Sequence, residues 1–429
     1  MIFVFYFFAA VLVFLSWKSF RGGIDYLNFF KRELAAPPVD FTPFVSVIAP
    51  CRGLDEDLEE NLAALFRQNF PRYEVIFVVD SEKDEAVPVI EKFLNRRDTG
   101  APSNLIQKNS APACFYGSKL VVAGKAENES QKVHNLREAV LHAAGESEVF
   151  VFVDSDARPG TDWLTYLIAP LRSEKIGAAT AYRWFISKKF GFASELRSVW
   201  NASIASALGA NTKSNFCWGG SMAMRRATFD EIGMRERWRG TLSDDFAVTR
   251  AIKEAGLEIY FVPQALAASV ENCSLHECLE FTTRQMKITR TYAPDLWKMS
   301  LIGAALFNLV WIWGVFNLVF YPANSFAFGF SLAALLLVAA FSAGKSQLRL
   351  TAVKLVLKDY RKELGNQFWT QNTLWVLSPA LFFYNSVCAL RSRKIVWRGI
   401  KYEIVSPSET IINNENTTNK EPFSSDIVN

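Results

Sequence analysis

The stretch Val149-Phe-Val-Phe-Val-Asp154-Ser-Asp156 constrains this chain more than any other. A short, uncharged run of β-branched and aromatic residues reads as a strand covered on both faces, the kind found in parallel α/β sheets. Such sheets place ligands just beyond the carboxyl ends of their strands. Here the run ends in two carboxylates one residue apart. A pair so placed can hold a divalent cation, and Mg²⁺ commonly takes one or two carboxylates plus substrate phosphate oxygens. The same residues could instead cap a helix starting near Thr161. The pair alone leaves both readings open.

From Thr42 to Pro294, short apolar runs alternate with amphipathic segments, the pattern of an α/β fold. Phe44-Val-Ser-Val-Ile-Ala49 reads as a strand ending at Pro50-Cys-Arg52-Gly53, and Tyr73 to Val79 as a second ending at Asp80. Lys132 to Ala144 suits a helix feeding the strand before Asp154. In a parallel sheet Arg52, Asp80, Asp154 and Asp156 converge along one edge, where a nucleotide can lie. No Gly-x-Gly-x-x-Gly follows the first strand, and no Gly-Lys-Ser/Thr phosphate loop occurs. A nucleotide diphosphate would then be held by metal and carboxylates rather than by a glycine cradle. Farther on, Trp218-Gly219-Gly220-Ser221 lets backbone approach a ligand closely or marks a bulged strand. Ser243-Asp244-Asp245 precedes the helical stretch Ala247 to Ala255. Its carboxylates suit a helix cap and dipole, or a base aimed at a hydroxyl; without further context the capping reading prevails.

The two ends of the chain have another character. Ile2 to Trp17 is apolar except for Ser16, with Lys18 and Arg21 following. A signal peptide would carry basic residues before the apolar core. The reverse order predicts an uncleaved anchor over 1–21 and a cytoplasmic domain over 42–294. Leu301 to Tyr321 and Ser325 to Ala343, split by Pro322-Ala-Asn, read as a transmembrane hairpin over 301–343. A basic cytoplasmic segment over 344–367 follows. Residues 368–390 either cross the membrane or re-enter at Ser378-Pro379. The tail over 391–429 is basic, and its part from Ser406 is expected to be disordered. His276 to Tyr292, with Arg284, Lys287 and Arg290 among apolar and aromatic residues, suits an interfacial helix. A formal charge of +4, with no basic-aromatic run, argues against nucleic acid as a partner. Three histidines and six scattered cysteines offer little for histidine-based or zinc chemistry.

Taken in order, these pieces resemble glycosyltransferase family 2 and, within it, the ceramide glucosyltransferase-like enzymes of family 21. The resemblance rests on Pro50-Cys-Arg-Gly-Leu-Asp55 with Leu58 and Asn61-Leu62, on Asp80, and on Lys132-Val-His-Asn135-Leu136. It continues through Asp154-Ser-Asp156, Gly219-Gly220-Ser221 to Arg225, Ser243-Asp244-Asp245 and Val396-Trp397-Arg398-Gly-Ile-Lys-Tyr402. One departure stands out. The family's Gln/Arg-x-x-Arg-Trp motif falls on Arg284-Gln285-Met286-Lys287-Ile288, where Lys replaces Arg and the Trp is missing. Arg290 and Tyr292 are the candidates to supply the missing cation and ring.

The resemblance implies a GT-A α/β fold flanked by transmembrane helices, and metal-dependent inverting transfer of a hexose. Asp80 would contact the uridine end of a UDP-sugar, UDP-glucose being the leading donor. Asp154 and Asp156 would hold Mg²⁺ or Mn²⁺ on the diphosphate, and Asp245 would be the catalytic base. Arg52, Lys132, Asp244, Arg284 and Lys287 would line the substrate site. The acceptor would be a membrane lipid hydroxyl, ceramide-like or diacylglycerol-like. A processive polysaccharide synthase and a non-catalytic sugar-nucleotide-binding membrane protein are the alternatives.

Overall fold

In the computed structural model, which describes residues 2–37, 39–94 and 114–413, the uncharged run Val149–Val153 is a central strand. It is β4, preceded by β1 (Val45–Pro50), β2 (Arg72–Val79) and β3 (Cys114–Val122). After it come β5 (Ile176–Thr180), β6 (Arg183–Ile186), β7 (Ser221–Arg225), β8 (Glu258–Phe261) and β9 (Ala267–Val270). Seven of these form one sheet in the order β3-β2-β1-β4-β7-β5-β8, with β6 and β9 paired beside it. Strands β1 to β4 run parallel, while β7 is antiparallel to both β4 and β5. This is the mixed α/β sheet of the GT-A arrangement that the resemblance implies.

All five residues of β4 are buried, and the period-2 alternation divides them between two layers. Val149, Val151 and Val153 enter the core on one face; Phe150 and Phe152 enter the core on the other. There Phe150 meets Phe229 edge-on at 5.3 Å and Phe152 meets Trp238 at 5.4 Å. A buried Phe is worth roughly 1.5–3 kcal/mol relative to an exposed one, so the strand is fixed from both sides. Its carboxyl end, and with it Asp154, has little freedom to move.

Among the described residues, three helices are long and apolar enough to cross a membrane: Ile2–Ala35, Pro294–Phe320 and Phe326–Val356. The first runs well past the expected anchor, because nothing between Trp17 and Ala35 breaks it. Its distal half joins the α/β core through Tyr26, Phe29 and Phe30, and Glu33 accepts a hydrogen bond from Tyr260 at 2.8 Å. The helix Phe326–Val356 likewise runs beyond residue 343, into the segment read as basic and cytoplasmic. Its Leu350 and Val353 are buried in the same core. The two helices pack on one another, Tyr6 against Phe330 at 4.6 Å and Phe20 against Phe341 at 5.8 Å. The following pair, Lys358–Val376 and Ser378–Arg391, bends by 58° at its break. Pro379 sits in the first turn of the second member, where it removes no helical hydrogen bond.

The region after residue 391 departs from expectation. Strands β10 (Lys394–Trp397), β11 (Ile400–Ser406) and β12 (Glu409–Ile412) form a three-stranded antiparallel sheet. Residues 406–412, expected to be disordered, are therefore ordered. The polar composition misleads because Ile404, Thr410 and Ile412 turn inward, the two isoleucines packing with Tyr402 against Leu242 and Ile288. Residues 414–429 of the expected tail lie outside the described residues.

Candidate active site

The carboxyl ends of β1 and β4 open into a cleft of about 340 Å³. Arg52, Lys132, Asp154, Asp156 and Arg284 line it, as do Asp55, Arg183 and Arg398. The strand-tip convergence follows from the parallel neighbours β2-β1-β4, which carry Asp80, Arg52 and Asp154 at adjacent ends.

The centre of the site is a buried charge network. Lys132, on the helix Gln131–Ala139, bridges Asp154 Oδ1 at 2.7 Å and Asp244 Oδ1 at 3.1 Å. Arg183, the first residue of β6, holds Asp156 Oδ2 at 2.7 Å and lies 3.9 Å from Asp154. Burial would raise the Asp156 carboxyl, but Arg183 and Arg398 prevail and hold it below the usual carboxylate range. Burial pushes Asp244 up to about 6, with Lys132 pulling the other way. Lys132 itself stays charged: burial disfavours its ammonium, yet Asp154 and Asp244 raise its pKa above the ordinary lysine value.

Gly219 explains the paired glycines. A Cβ there would lie 2.1 Å from Asp244 Oδ2 and 2.8 Å from Lys132 Nζ, so only glycine lets this carboxylate reach the lysine. The glycines precede strand β7, whose Ser221 pairs with Val153, and no bulge interrupts that ladder. Ser243 is the N-cap residue of the helix Asp244–Glu254. It makes no capping hydrogen bond with its side chain; instead its hydroxyl donates to Asp245 Oδ1 at 2.5 Å. Asp245 Oδ2 accepts from the Gly219 amide at 3.4 Å. The acidic pair is thus divided, with Asp244 turned into the charge network and Asp245 half-buried beside it.

Asp80 is buried at the tip of β2, paired with Arg52 and, at 2.7 Å, with Lys125. Neither it nor Asp244 or Asp245 lines the cleft directly. Asp80 adjoins Arg52 and Asp244 adjoins Lys132, both of which do, while Asp245 follows Asp244 in the chain, one step farther from the cleft. Lys287 faces a different space, a cavity of about 1050 Å³ beside the cleft. The helix Leu275–Tyr292, the helix Ser378–Arg391 and the C-terminal sheet enclose this cavity, and Glu280, Arg284 and Tyr402 line both spaces. Lys287 Nζ donates to the Lys394 carbonyl at 2.6 Å.

Arg290 and Tyr292 do not supply the missing cation and ring. Arg290 donates to the carbonyls of Ala389 and Leu390 at the end of the helix Ser378–Arg391, which the helix dipole favours. The Tyr292 hydroxyl accepts from the amides of Leu242 and Ser243 at 2.8 and 3.3 Å, bracing the loop that presents Asp244. Arg183 and Asp55 are members of the site that pattern reading did not single out. Arg183 opens a strand without any motif, and Asp55 was visible only as part of a longer segment.

A family model for glycosyl transferase family 21 matches residues 8–410. Among curated relatives, ceramide glucosyltransferase 1 of Caenorhabditis elegans is 21% identical over 234 residues, 54% of this chain and 46% of that protein. The ceramide glucosyltransferase of Candida albicans is 24% identical over 178 residues, 41% of this chain and 30% of that one. The chain thus spans half or less of the length of these two relatives. Among solved structures, a mannosyltransferase of Pyrobaculum calidifontis in complex with GDP-Man and Mn²⁺ aligns at a TM-score of 0.43. It is 20% identical, and the alignment covers 88% of this chain and 99% of that one, a likeness too loose to carry chemistry across.

Proposed function

The chain belongs to glycosyltransferase family 21, and from that premise we propose that it moves a hexose from a UDP-sugar to a membrane lipid hydroxyl with inversion. The observation that carries this reading is the Lys132 bridge, which ties the strand-tip carboxylate Asp154 to the acidic pair at Asp244. One buried cation thereby couples the donor end of the cleft to the acceptor end.

The residues suit a divalent metal, Mg²⁺ or Mn²⁺. Asp156 Oδ1 is buried with no hydrogen-bond partner, beside Asp154 at the cleft wall. Among the described residues no group of three or more metal-ligating side chains occurs. The protein would thus offer Asp154 and Asp156, leaving other positions to diphosphate oxygens. Such an ion, when bound, offsets charge on the departing diphosphate.

The protein's own groups do the rest. Asp80, with Arg52, receives the uridine end of the donor. Arg52 and Arg284 face the diphosphate, with Lys132 keeping the carboxylates beneath it compensated. Asp245 takes the proton of the acceptor hydroxyl as that oxygen bonds to the anomeric carbon. The bond from that carbon to the diphosphate breaks, and its electron pair leaves with UDP. Positioning in line contributes alongside the base.

The acceptor is a lipid with a free hydroxyl, ceramide-like or diacylglycerol-like. The three apolar helices support this, as does the large cavity that shares a wall with the cleft and is lined by Lys287. The basic residues Lys18, Arg21 and Lys345, beside the apolar spans, favour a cytoplasmic catalytic domain. Incubating membranes that carry the chain with labelled UDP-glucose and other UDP-sugars tests the reading. A labelled lipid of one sugar residue is expected. A polymer would identify a polysaccharide synthase instead, and binding without any product would identify a non-catalytic binder.

A further inference from the structure

Of the guanidinium groups around the cleft, two come from the chain that follows the last strand of the α/β region, β9. Arg284 lies on the helix Leu275–Tyr292, and Arg398 lies at the turn between β10 and β11. The inner cations, Lys132, Arg183 and Arg52, are tied to carboxylates of the core. Arg284 is different. Among the described residues it has no ion-pair partner and rests between two rings, 5.6 Å from Phe281 and 5.5 Å from Trp397.

Arg398 occupies an awkward place in the backbone. Trp397 pairs with Ile400, so Arg398-Gly399 is a two-residue turn, and both residues have positive φ, 51° and 76°. Such turns favour Asn-Gly or Gly-Gly, and an arginine in the left-handed region is strained. Its side chain crosses the mouth of the cleft to Asp55, a residue far away in sequence. Its carbonyl accepts from Arg52 Nε at 3.1 Å, the same Arg52 that pairs with Asp80. The hairpin behind it is fixed. The Tyr402 hydroxyl accepts from the Gln131 amide at 3.1 Å, and the Ser408 carbonyl fills the space above Gly240. The part open to solvent is the guanidinium, whose side chain is 37% exposed against 9% for Asp55. Asp55 would not be stranded by its departure, because the Ser155 hydroxyl also donates to it.

We propose that Arg398 is a diphosphate-binding residue: it exchanges Asp55 for the diphosphate of the sugar nucleotide, opposite Arg284 beside Trp397. This rests on the sugar-nucleotide reading above. Guanidinium is suited to the role because its planar fork can grip phosphate with two parallel bonds.

Equilibrium binding of UDP and of uridine to the full chain in detergent tests the assignment. Arg398→Ala should weaken UDP roughly 10- to 100-fold, as expected for lost charge-assisted hydrogen bonds, while uridine binding stays unchanged. Arg398→Lys should recover part of the loss. Asp55→Asn, which frees Arg398, should tighten UDP binding. Equal losses in Arg398→Ala and Asp55→Asn would mark a structural ion pair and overturn the proposal, as would equal losses of UDP and uridine. A wild-type chain that binds UDP no better than uridine would overturn the sugar-nucleotide reading and this inference with it.

Discussion

The two walls of the cleft are built on different physical terms. The sheet wall, Asp154, Asp156, Lys132, Asp244 and Arg183, is a buried network in which cations bind carboxylates. On the C-terminal side, where Arg284 lines the cleft and Lys287 the cavity beside it, cations of the helix Leu275–Tyr292 meet carbonyls and rings instead. Lys287 donates to Lys394, Arg290 to Ala389, and Arg284 lies against Phe281 and Trp397. Buried charge is costly unless compensated, so the first wall is rigid and intolerant of change. The second holds its cations by weaker, replaceable contacts, as a wall must if it is to re-pair with a ligand.

The largest expected effect tests the division of the acidic pair on the sheet wall. Asp245→Asn should lower turnover ~10²–10⁴-fold, the usual worth of a general base, and leave UDP-sugar affinity intact. Parallel kinetics and binding measurements check it; undiminished turnover would move the base elsewhere. Next, the two walls can be set against each other directly. Lys132→Met strands Asp154 and Asp244 and should destabilise the protein by about 3–5 kcal/mol. Lys287→Met removes one hydrogen bond to a carbonyl and should cost about 1 kcal/mol or less. Denaturant unfolding of both variants would reveal the difference, and equal losses would erase the contrast between the walls.

The smallest effect concerns pH. Burial holds Asp244 at about 6, above its unfolded value of 3.8. The folded state therefore keeps a proton that the unfolded chain releases. Its stabilising contribution is full below pH 3.8 and is lost as pH rises through about 6. Asp244→Asn should flatten this part of the stability profile. Thermal midpoints of both proteins between pH 4 and 7 would show it, and parallel profiles would remove Asp244 as the source.

The sheet wall was largely legible in the sequence. A contiguous apolar run fixes a strand, and a strand fixes what stands at its tip, so Asp154, Asp80 and Arg52 could be placed by local pattern. The glycine pair signalled a close approach without naming Asp244 as its object. Arg183 gave no signal, since a lone arginine at the start of a strand looks like any surface charge. The C-terminal wall was misread for a related reason. Arg290 and Tyr292 have the right chemistry at the right distance along the helix, but they face the end of the helix Ser378–Arg391 and the loop before Asp244. The tail from Ser406 looked too polar to fold. Pairing of Glu409–Ile412 with β11, and burial of Ile404, made it a strand.

By itself, the sequence determined the α/β class, the apolar helices and the acidic strand tips, because each depends on residues adjacent in the chain. Only the tertiary structure decided which charges share a partner. Lys132 between Asp154 and Asp244, Arg183 on Asp156, and Arg398 across the cleft mouth on Asp55 join segments far apart in sequence. Electrostatic pairing depends on distance through space and on burial, and neither is written along the chain.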